Sequence, residues 1–299
     1  MFWGLWSEHY CVEVGLKREQ RCDRECAVAR CRGVQDIRFL ITNDDGFDAP
    51  GLQALWEALV PLGAVEVVAP AVCHSSKGHA VDTKNSIRVE QRDVEPFGRI
   101  RVVQASPADC IRVGLRHVML ENPPDVVVAG INPGANLGVD LFYSGTAAAA
   151  REAALLGVPA IAVSRLIHND FPIDWRVLSG QVSRVVQLLL RPEYGLPVGH
   201  FWNVNFPTVA GERYPEELVF VPHGTDPHAV RFQVLESCED AEVLGYSAVY
   251  RDRPRAAGSD VDVLFSQRIT VTPVGPSLTS LQSPHLQTVV SLGSAASPD

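Results

Sequence analysis

The sequence predicts an α/β fold built on a mostly parallel sheet with helices on both faces, and three observations carry that reading. From Ile37 onward, short runs rich in β-branched residues alternate with segments of helical period. A helix between two strands carries the chain back across the sheet, so successive strands run the same way. Polar residues gather just after the strand ends, where open parallel sheets collect ligands. A length of 299 residues, 46% of them hydrophobic, suits one large core better than a string of small modules.

Ile37-Arg-Phe-Leu-Ile-Thr42 has the composition of a buried strand. Pro50 can open the next helix because the first helical position needs no N–H. Leu52, Leu55, Trp56, Leu59 and Val60 then recur on one face, which puts Trp56 in the core, and Gly63 stops the helix. Val65–Pro70 is the second strand. Ile87–Glu90 and Arg99–Gln104 read as a hairpin, and Ser106-Pro-Ala-Asp109 has the form of a capping box. The helix it opens turns Cys110, Ile111, Gly114, Leu115 and Val118 inward. Asp125–Ile131 is an apolar strand, Thr146–Leu156 an alanine-rich helix ended by Gly157, Pro159–Ser164 a strand, Asp174–Leu190 a helix and Phe201–Asn205 a strand. Residues 213–272 hold several β-rich runs broken by Pro and Gly, an excursion from the main sheet.

The ends have a different texture. Residues 1–36 carry four of the seven Cys and balanced charge without clean periodicity, and read as an appendage. With only two Met in the chain, Met1 and Met119, a start at a non-ATG codon such as that of Val34 is expected. Residues 37–275 form the expected domain, and residues 276–299, rich in Ser, Pro and Thr, a loosely held tail. The net charge of -9 falls on residues 37–299 and argues against a nucleic-acid polymer or an anionic membrane as partner. No signal-peptide pattern and no apolar run of membrane-spanning length occur, so the cytoplasm is the expected compartment.

Three loops could carry chemistry. Thr42-Asn43-Asp44-Asp45-Gly46 follows the first strand. Two adjacent carboxylates disfavour joint ionisation unless a cation neutralises them, and an all-oxygen donor set suits Mg²⁺, Mn²⁺ or Ca²⁺. Read alone, the segment is more simply a turn whose Asp caps the following helix. Gly130–Gly138 packs three Gly and two Asn into nine residues, enough to line an anion site with backbone N–H groups, or simply a Gly/Asn loop. Ser144-Gly145-Thr146 precedes the alanine-rich helix and is either a phosphate cradle or an ordinary N-cap. Dinucleotide, Walker and nucleophile-elbow signatures are missing. His74 and His79 read as solvated loop residues, Cys73 and Cys110 as buried small hydrophobes, and the Asp252–Arg255 charge run as a solvated face.

Taken together, these loops resemble one family. Ile41-Thr42-Asn43-Asp44-Asp45-Gly46 with Ala49-Pro50-Gly51-Leu52, Val68-Ala69-Pro70 leading to Ser75, Val128-Ala129-Gly130-Ile131-Asn132 through Asn136-Leu137-Gly138, and Tyr143-Ser144-Gly145-Thr146-Ala147-Ala148 match, in order and spacing, the SurE-type stationary-phase survival proteins, which are metal-dependent 5′-nucleotidases. The resemblance implies a three-layer, Rossmann-like α/β fold with a β-rich C-terminal extension used in homodimer or homotetramer contacts. It implies one Mg²⁺ or Mn²⁺ held by Asp44, Asp45, Ser75 and Asn132, with Ser76 as the alternative hydroxyl. The substrates it implies are nucleoside 5′-monophosphates, with 3′-nucleotides and short polyphosphate beside them. On the residues, Asp44 is the candidate to orient or deprotonate the attacking water, and Asn136, Ser144, Gly145 and Thr146 the candidates to hold phosphate oxygens. Two other readings stand: a phosphatase of the same fold acting mainly on polyphosphate or another phosphomonoester, and a non-catalytic metal- or nucleotide-binding protein.

Overall fold

A computed structural model describes residues 37–168, 170–209, 214–228, 230–247 and 249–276. The expectations for residues 1–36 and for the tail beyond Pro276 lie outside those residues. In chain order the elements are β1 (Ile37–Thr42), α1 (Pro50–Leu59), β2 (Gly63–Pro70), β3 (Val89–Val94), β4 (Gly98–Val103), α2 (Pro107–Val113), β5 (Val126–Pro133), α3 (Gly145–Leu155), β6 (Ala160–Arg165) and α4 (Trp175–Leu189). They continue with β7 (Phe201–Phe206), β8 (Leu218–Phe220), β9 (Phe232–Cys238), β10 (Ala241–Tyr246), α5 (Asp260–Phe265) and β11 (Ile269–Val274).

Nine strands make the main sheet in the order β3-β4-β2-β1-β5-β6-β7-β11-β8. The pairs from β4 through β7 are parallel, as the alternation of strand and helix requires. Two pairs are antiparallel, β3 with β4 and β7 with β11. The link between β3 and β4 is too short for a crossover, so those strands can only turn back on themselves. The remaining strands, β9 and β10, form a separate antiparallel ribbon.

The alternation along β1 sorts the two faces of the sheet. Phe39 and Ile41 pack into one cluster with Leu52, Leu55 and Leu59 of α1 and Leu178, Val182 and Val186 of α4. Leu40 points the other way, to Cys110 and Ile111 of α2 and Ala147, Ala150 and Ala153 of α3. Helices on both faces make the fold three-layered. Each leucine of α1 removed from water contributes about 1.5–3 kcal/mol, so this packing and not helix propensity holds α1 in place. Trp56 departs from expectation: it is half-buried at the rim of its cluster, edge-on to Phe97 at 5.9 Å.

Two helices come close to the strand ends because each carries a glycine in its first turn. A Cβ on Gly51 of α1 would stand 2.0 Å from the carbonyl oxygen of Ile131 in β5. A Cβ on Gly145 would stand 2.7 Å from the Asp44 side chain. The absent side chain therefore brings the N-terminus of α3 against the end of β1. Among the described residues no helix is long and apolar enough to cross a membrane.

Candidate active site

The Asn43–Gly46 turn is closed by its own side chain, Asn43 Nδ2 donating to the Gly46 carbonyl at 2.7 Å. It does not cap the helix that follows, since the N-cap of α1 is Ala49 and no side chain caps it. Asp44 faces α3 instead. Its side chain is almost wholly buried, and the Thr146 hydroxyl donates to Asp44 Oδ1 at 2.6 Å. Burial raises the Asp44 carboxyl above the ordinary carboxylate range, against the hydrogen bond from Thr146 and those of backbone N–H groups at Asp44, Thr146 and Gly145. At Asp45, burial and then the neighbouring Asp44 charge push the pKa up to about 6.

The second loop is drawn to the same place. The backbone N–H of His74 donates to the Asp44 carbonyl at 2.7 Å, and that of Gly78 to the Tyr143 carbonyl at 2.9 Å. Ser75 Oγ and Cys73 Sγ lie 3.0 Å apart. Two expectations change here. Cys73 is exposed, not buried, because the loop lies over the strand ends and not beneath them; Cys110 is buried as expected. His79 is not a freely solvated loop residue: its Nε2 sits 2.7 Å from Oε2 of the buried Glu152 of α3, whose other oxygen accepts from Arg112 Nε at 2.6 Å. That carboxylate pins the loop to α2 and α3.

From the end of β5, Asn132 donates its amide N–H to the Gly134 carbonyl at 2.7 Å, which leaves its side-chain oxygen for a ligand. Asn136 is clamped by neighbouring strands. Its backbone N–H donates to Asn205 Oδ1 and its carbonyl accepts from Asn203 and Asn205, while its side-chain amide donates to Ser164 Oγ at 2.8 Å. Ser144 caps α3, its hydroxyl accepting from the Ala147 N–H at 2.9 Å.

These segments enclose a cleft of about 610 Å³ at the carboxyl ends of the strands, lined from the rim of the sheet by Asp44, Asp45, Ser75, Ser76, Asn132, Asn136 and Ser144. Seven of the side chains singled out in the sequence thus meet in one cavity. Gly145 and Thr146 stand behind it. Thr146 has no exposed surface and its hydroxyl is held on Asp44, so it positions that carboxylate and does not reach a phosphate; Gly145 supplies the close approach.

The donor set fits a hard divalent cation. Asp45 Oδ2 is buried without a hydrogen-bond partner, beside a second carboxylate whose charge opposes its own. The Ser75 hydroxyl and the Asn132 amide oxygen complete an all-oxygen set. Among the described residues no three His, Cys, Asp or Glu come together, so a zinc-type cluster has no counterpart.

The family model described as Survival protein SurE matches residues 39–223. This chain belongs to the SurE family. A Synechocystis sp. protein is 42% identical over 236 residues, covering 79% of this chain and 98% of that one. The 5′-nucleotidase SurE of Myxococcus xanthus is 39% identical, covering 81% and 88%, and that of Geobacter sulfurreducens 35%, covering 83% and 91%. The crystal structure of the SurE protein from Aquifex aeolicus superposes with a TM-score of 0.69 at 30% identity, covering 84% of this chain and 99% of that one.

Part of this SurE cleft escapes sequence reasoning. Asp140, Tyr143, His228, Val230, Tyr246 and Tyr250 complete the lining. Asp140 gathers the far segment: it accepts from the Leu137 N–H, from the Tyr250 hydroxyl at 2.7 Å and from Arg253, and lies 2.8 Å from His228 Nε2. Arg253 comes from the run read as a solvated face, yet only 9% of its side chain is exposed. The run Asp252–Arg255 carried a usable signal, an Arg-Pro-Arg able to reach inward, but charge pattern alone does not show which arginine turns in.

Proposed function

We propose that this SurE-family chain hydrolyses nucleoside 5′-monophosphates to nucleoside and phosphate, using one bound Mg²⁺ or Mn²⁺. The observation that carries the reading is the pairing of buried Asp44 with half-buried Asp45, whose Oδ2 is enclosed without a partner, in one cleft with Ser75, Asn132, Asn136 and Ser144. Relatives named 5′-nucleotidase supply the reaction class. Asp44, Asp45, Ser75 and Asn132 would hold the cation, which when bound supplies charge neutralisation for the phosphoryl oxygens and a more acidic water.

The rest of the chemistry belongs to the chain. Asp44, fixed by Thr146 and the N-terminus of α3, orients a water for in-line attack and takes its proton as the new P–O bond forms. The bond to the nucleoside oxygen breaks, and the departing alkoxide takes a proton from solvent. Asn136 and Ser144 approach the phosphate from the rim, with backbone N–H groups near Gly134 and Gly145 beside them. The same terminal phosphate occurs in 3′-nucleotides and short polyphosphate, which we include as further substrates.

The test is phosphate release from AMP with added Mn²⁺ and with EDTA, for the wild type and Asp44→Asn. Chelation should abolish release, and the variant should lose about 10²–10⁴-fold in kcat with its fold intact by circular dichroism. Metal-independent release, or full activity in the variant, sinks the mechanism.

The enzyme is further proposed to act as a homodimer or homotetramer in the cytoplasm. Exposed Leu235, Val243 and Leu244 on the β9–β10 ribbon support a second copy as the cover for that surface. Light scattering of the wild type and Leu244→Glu checks it, a monomeric wild type being the contrary result. Among the described residues Cys73, Cys110 and Cys238 are free thiols, in keeping with a reducing compartment.

A further inference from the structure

The rim of the sheet supplies carboxylates, amides and a capped helix start, all suited to a cation and a phosphate. That leaves much of the 610 Å³ cleft, a volume in the range of sites for whole small-molecule ligands, to residues of another character. Tyr143 is 58% exposed, Tyr246 60% and Tyr250 39%, and all three line the cavity, as do His228 and Val230. Rings this exposed, gathered in a cavity beside a phosphate-type site, are suited to a flat aromatic ligand.

The polar groups among them are turned toward one another. The carboxylate of Asp140 is occupied by the Leu137 N–H, the Tyr250 hydroxyl, Arg253 and His228 Nε2. The Tyr250 hydroxyl oxygen also lies 3.1 Å from the Ala135 carbonyl oxygen, and Arg253 donates to the Leu137 carbonyl. Three donors crowd Oδ2 of that carboxylate and His228 faces Oδ1, so the one carboxylate at this end of the cleft is already engaged by the protein. What remains open to a ligand is chiefly the rings of Tyr143 and Tyr246, while the Arg253 guanidinium lies over one face of the Tyr250 ring at 4.8 Å.

We propose that Tyr143, Tyr246 and Tyr250 form a nucleobase platform that holds the base by stacking and does not read its hydrogen-bonding edge. The inference rests on the nucleotide-phosphatase reading and specifies what that site selects. A stacking platform rewards ring area, so purines are favoured over pyrimidines and both over a substrate with no base. A site without fixed edge partners tolerates exchange of exocyclic groups, so adenine and guanine are treated alike.

The experiment compares kcat/KM for AMP, GMP, CMP and ribose 5-phosphate in the wild type, Tyr143→Ala, Tyr246→Ala and the two Tyr→Phe variants. AMP and GMP should agree within about tenfold and exceed ribose 5-phosphate by about tenfold or more, with CMP between. Each alanine variant should lower AMP more than ribose 5-phosphate and shrink that ratio about fivefold or more, while each phenylalanine variant keeps it. The proposal is overturned by a wild-type ratio near one, by alanine variants that lower both substrates equally, or by phenylalanine variants that lose the ratio as the alanine variants do. Phosphate release from ribose 5-phosphate without any nucleotide preference removes the platform and leaves the phosphatase standing. Absence of release from every substrate overturns the phosphatase and the platform with it.

Discussion

The rim of the sheet and the excursion after β8 meet in one cleft, yet they are held in opposite ways. Asp44 ends a strand buried on both faces and is tied to α3 and to the second loop by hydrogen bonds. The residues of β9 and β10 are exposed along nearly their whole length, and the ribbon lies outside the main sheet. The segment that follows the ribbon is tied to the cleft through Asp140, whose partners Tyr250 and Arg253 lie more than a hundred residues away in sequence. The Asp44 end is thus positioned by the core, whereas the other end hangs on one carboxylate. A site built this way can vary its second wall without disturbing its first.

The sharpest way to break the comparison is Asp140→Asn. The substitution leaves the Arg253 guanidinium without its charge partner in a largely enclosed place, at a cost of about 3 kcal/mol confined to the excursion. Hydrogen exchange should quicken across residues 225–256 while β1 and β5 keep their protection. Equal loosening of both regions would show that the two walls are not independent.

Thr146→Val tests the other wall. Losing the donor to a buried carboxylate should cost about 2 kcal/mol. Because the proposed mechanism uses that carboxylate to orient the water, kcat for AMP should fall about tenfold with little change in KM. Unchanged kcat would mean that the strand end alone suffices to aim Asp44, and Thr146→Ser should restore most of the loss.

The smallest effect is expected where the second loop is latched to α3. At Glu152 burial favours the neutral carboxyl, but the hydrogen bonds and charges of His79 and Arg112 outweigh it and hold the pKa below the ordinary 4.5. A depressed carboxylate pKa stabilises the fold above the unfolded value and loses that contribution as pH falls through the folded one. Glu152→Gln should therefore melt about 3 °C below the wild type near neutral pH, with the gap closing as pH is lowered from about 5 toward 3. A gap independent of pH would assign the effect to packing.

How much of this was legible depends on the range of the interaction that decides each feature. Asp44, Asp45, Asn132 and Ser144 stand out because each lies within a few residues of a strand end or helix start, and local chemistry announces those ends. The role of Thr146 did not stand out: a hydroxyl at a helix start suits a phosphate as well as a carboxylate, and only the approach of Gly145 to Asp44 chooses between them. Cys73 and His79 were misjudged for a related reason. Side-chain type does not say which side of a loop meets the protein, and here the imidazole finds Glu152 while the thiol faces out. Arg253 was misread because a charge run resembles a solvated face until a buried carboxylate is found to claim one member of it.

By itself, then, the sequence determined the alternation of strands and helices, the end of the sheet where polar residues collect, and the placing of two adjacent carboxylates there. Those features follow from periodicity and from like charges placed side by side, both of which are written in neighbouring residues. Only the tertiary structure decided that Thr146 backs Asp44, that Glu152 pins the second loop, and that Asp140 holds Tyr250 and Arg253, from the segment after a distant ribbon, at the cleft. Each of those depends on a partner far along the chain, and that partner is selected by packing distance and by the need of a buried polar group for a hydrogen bond.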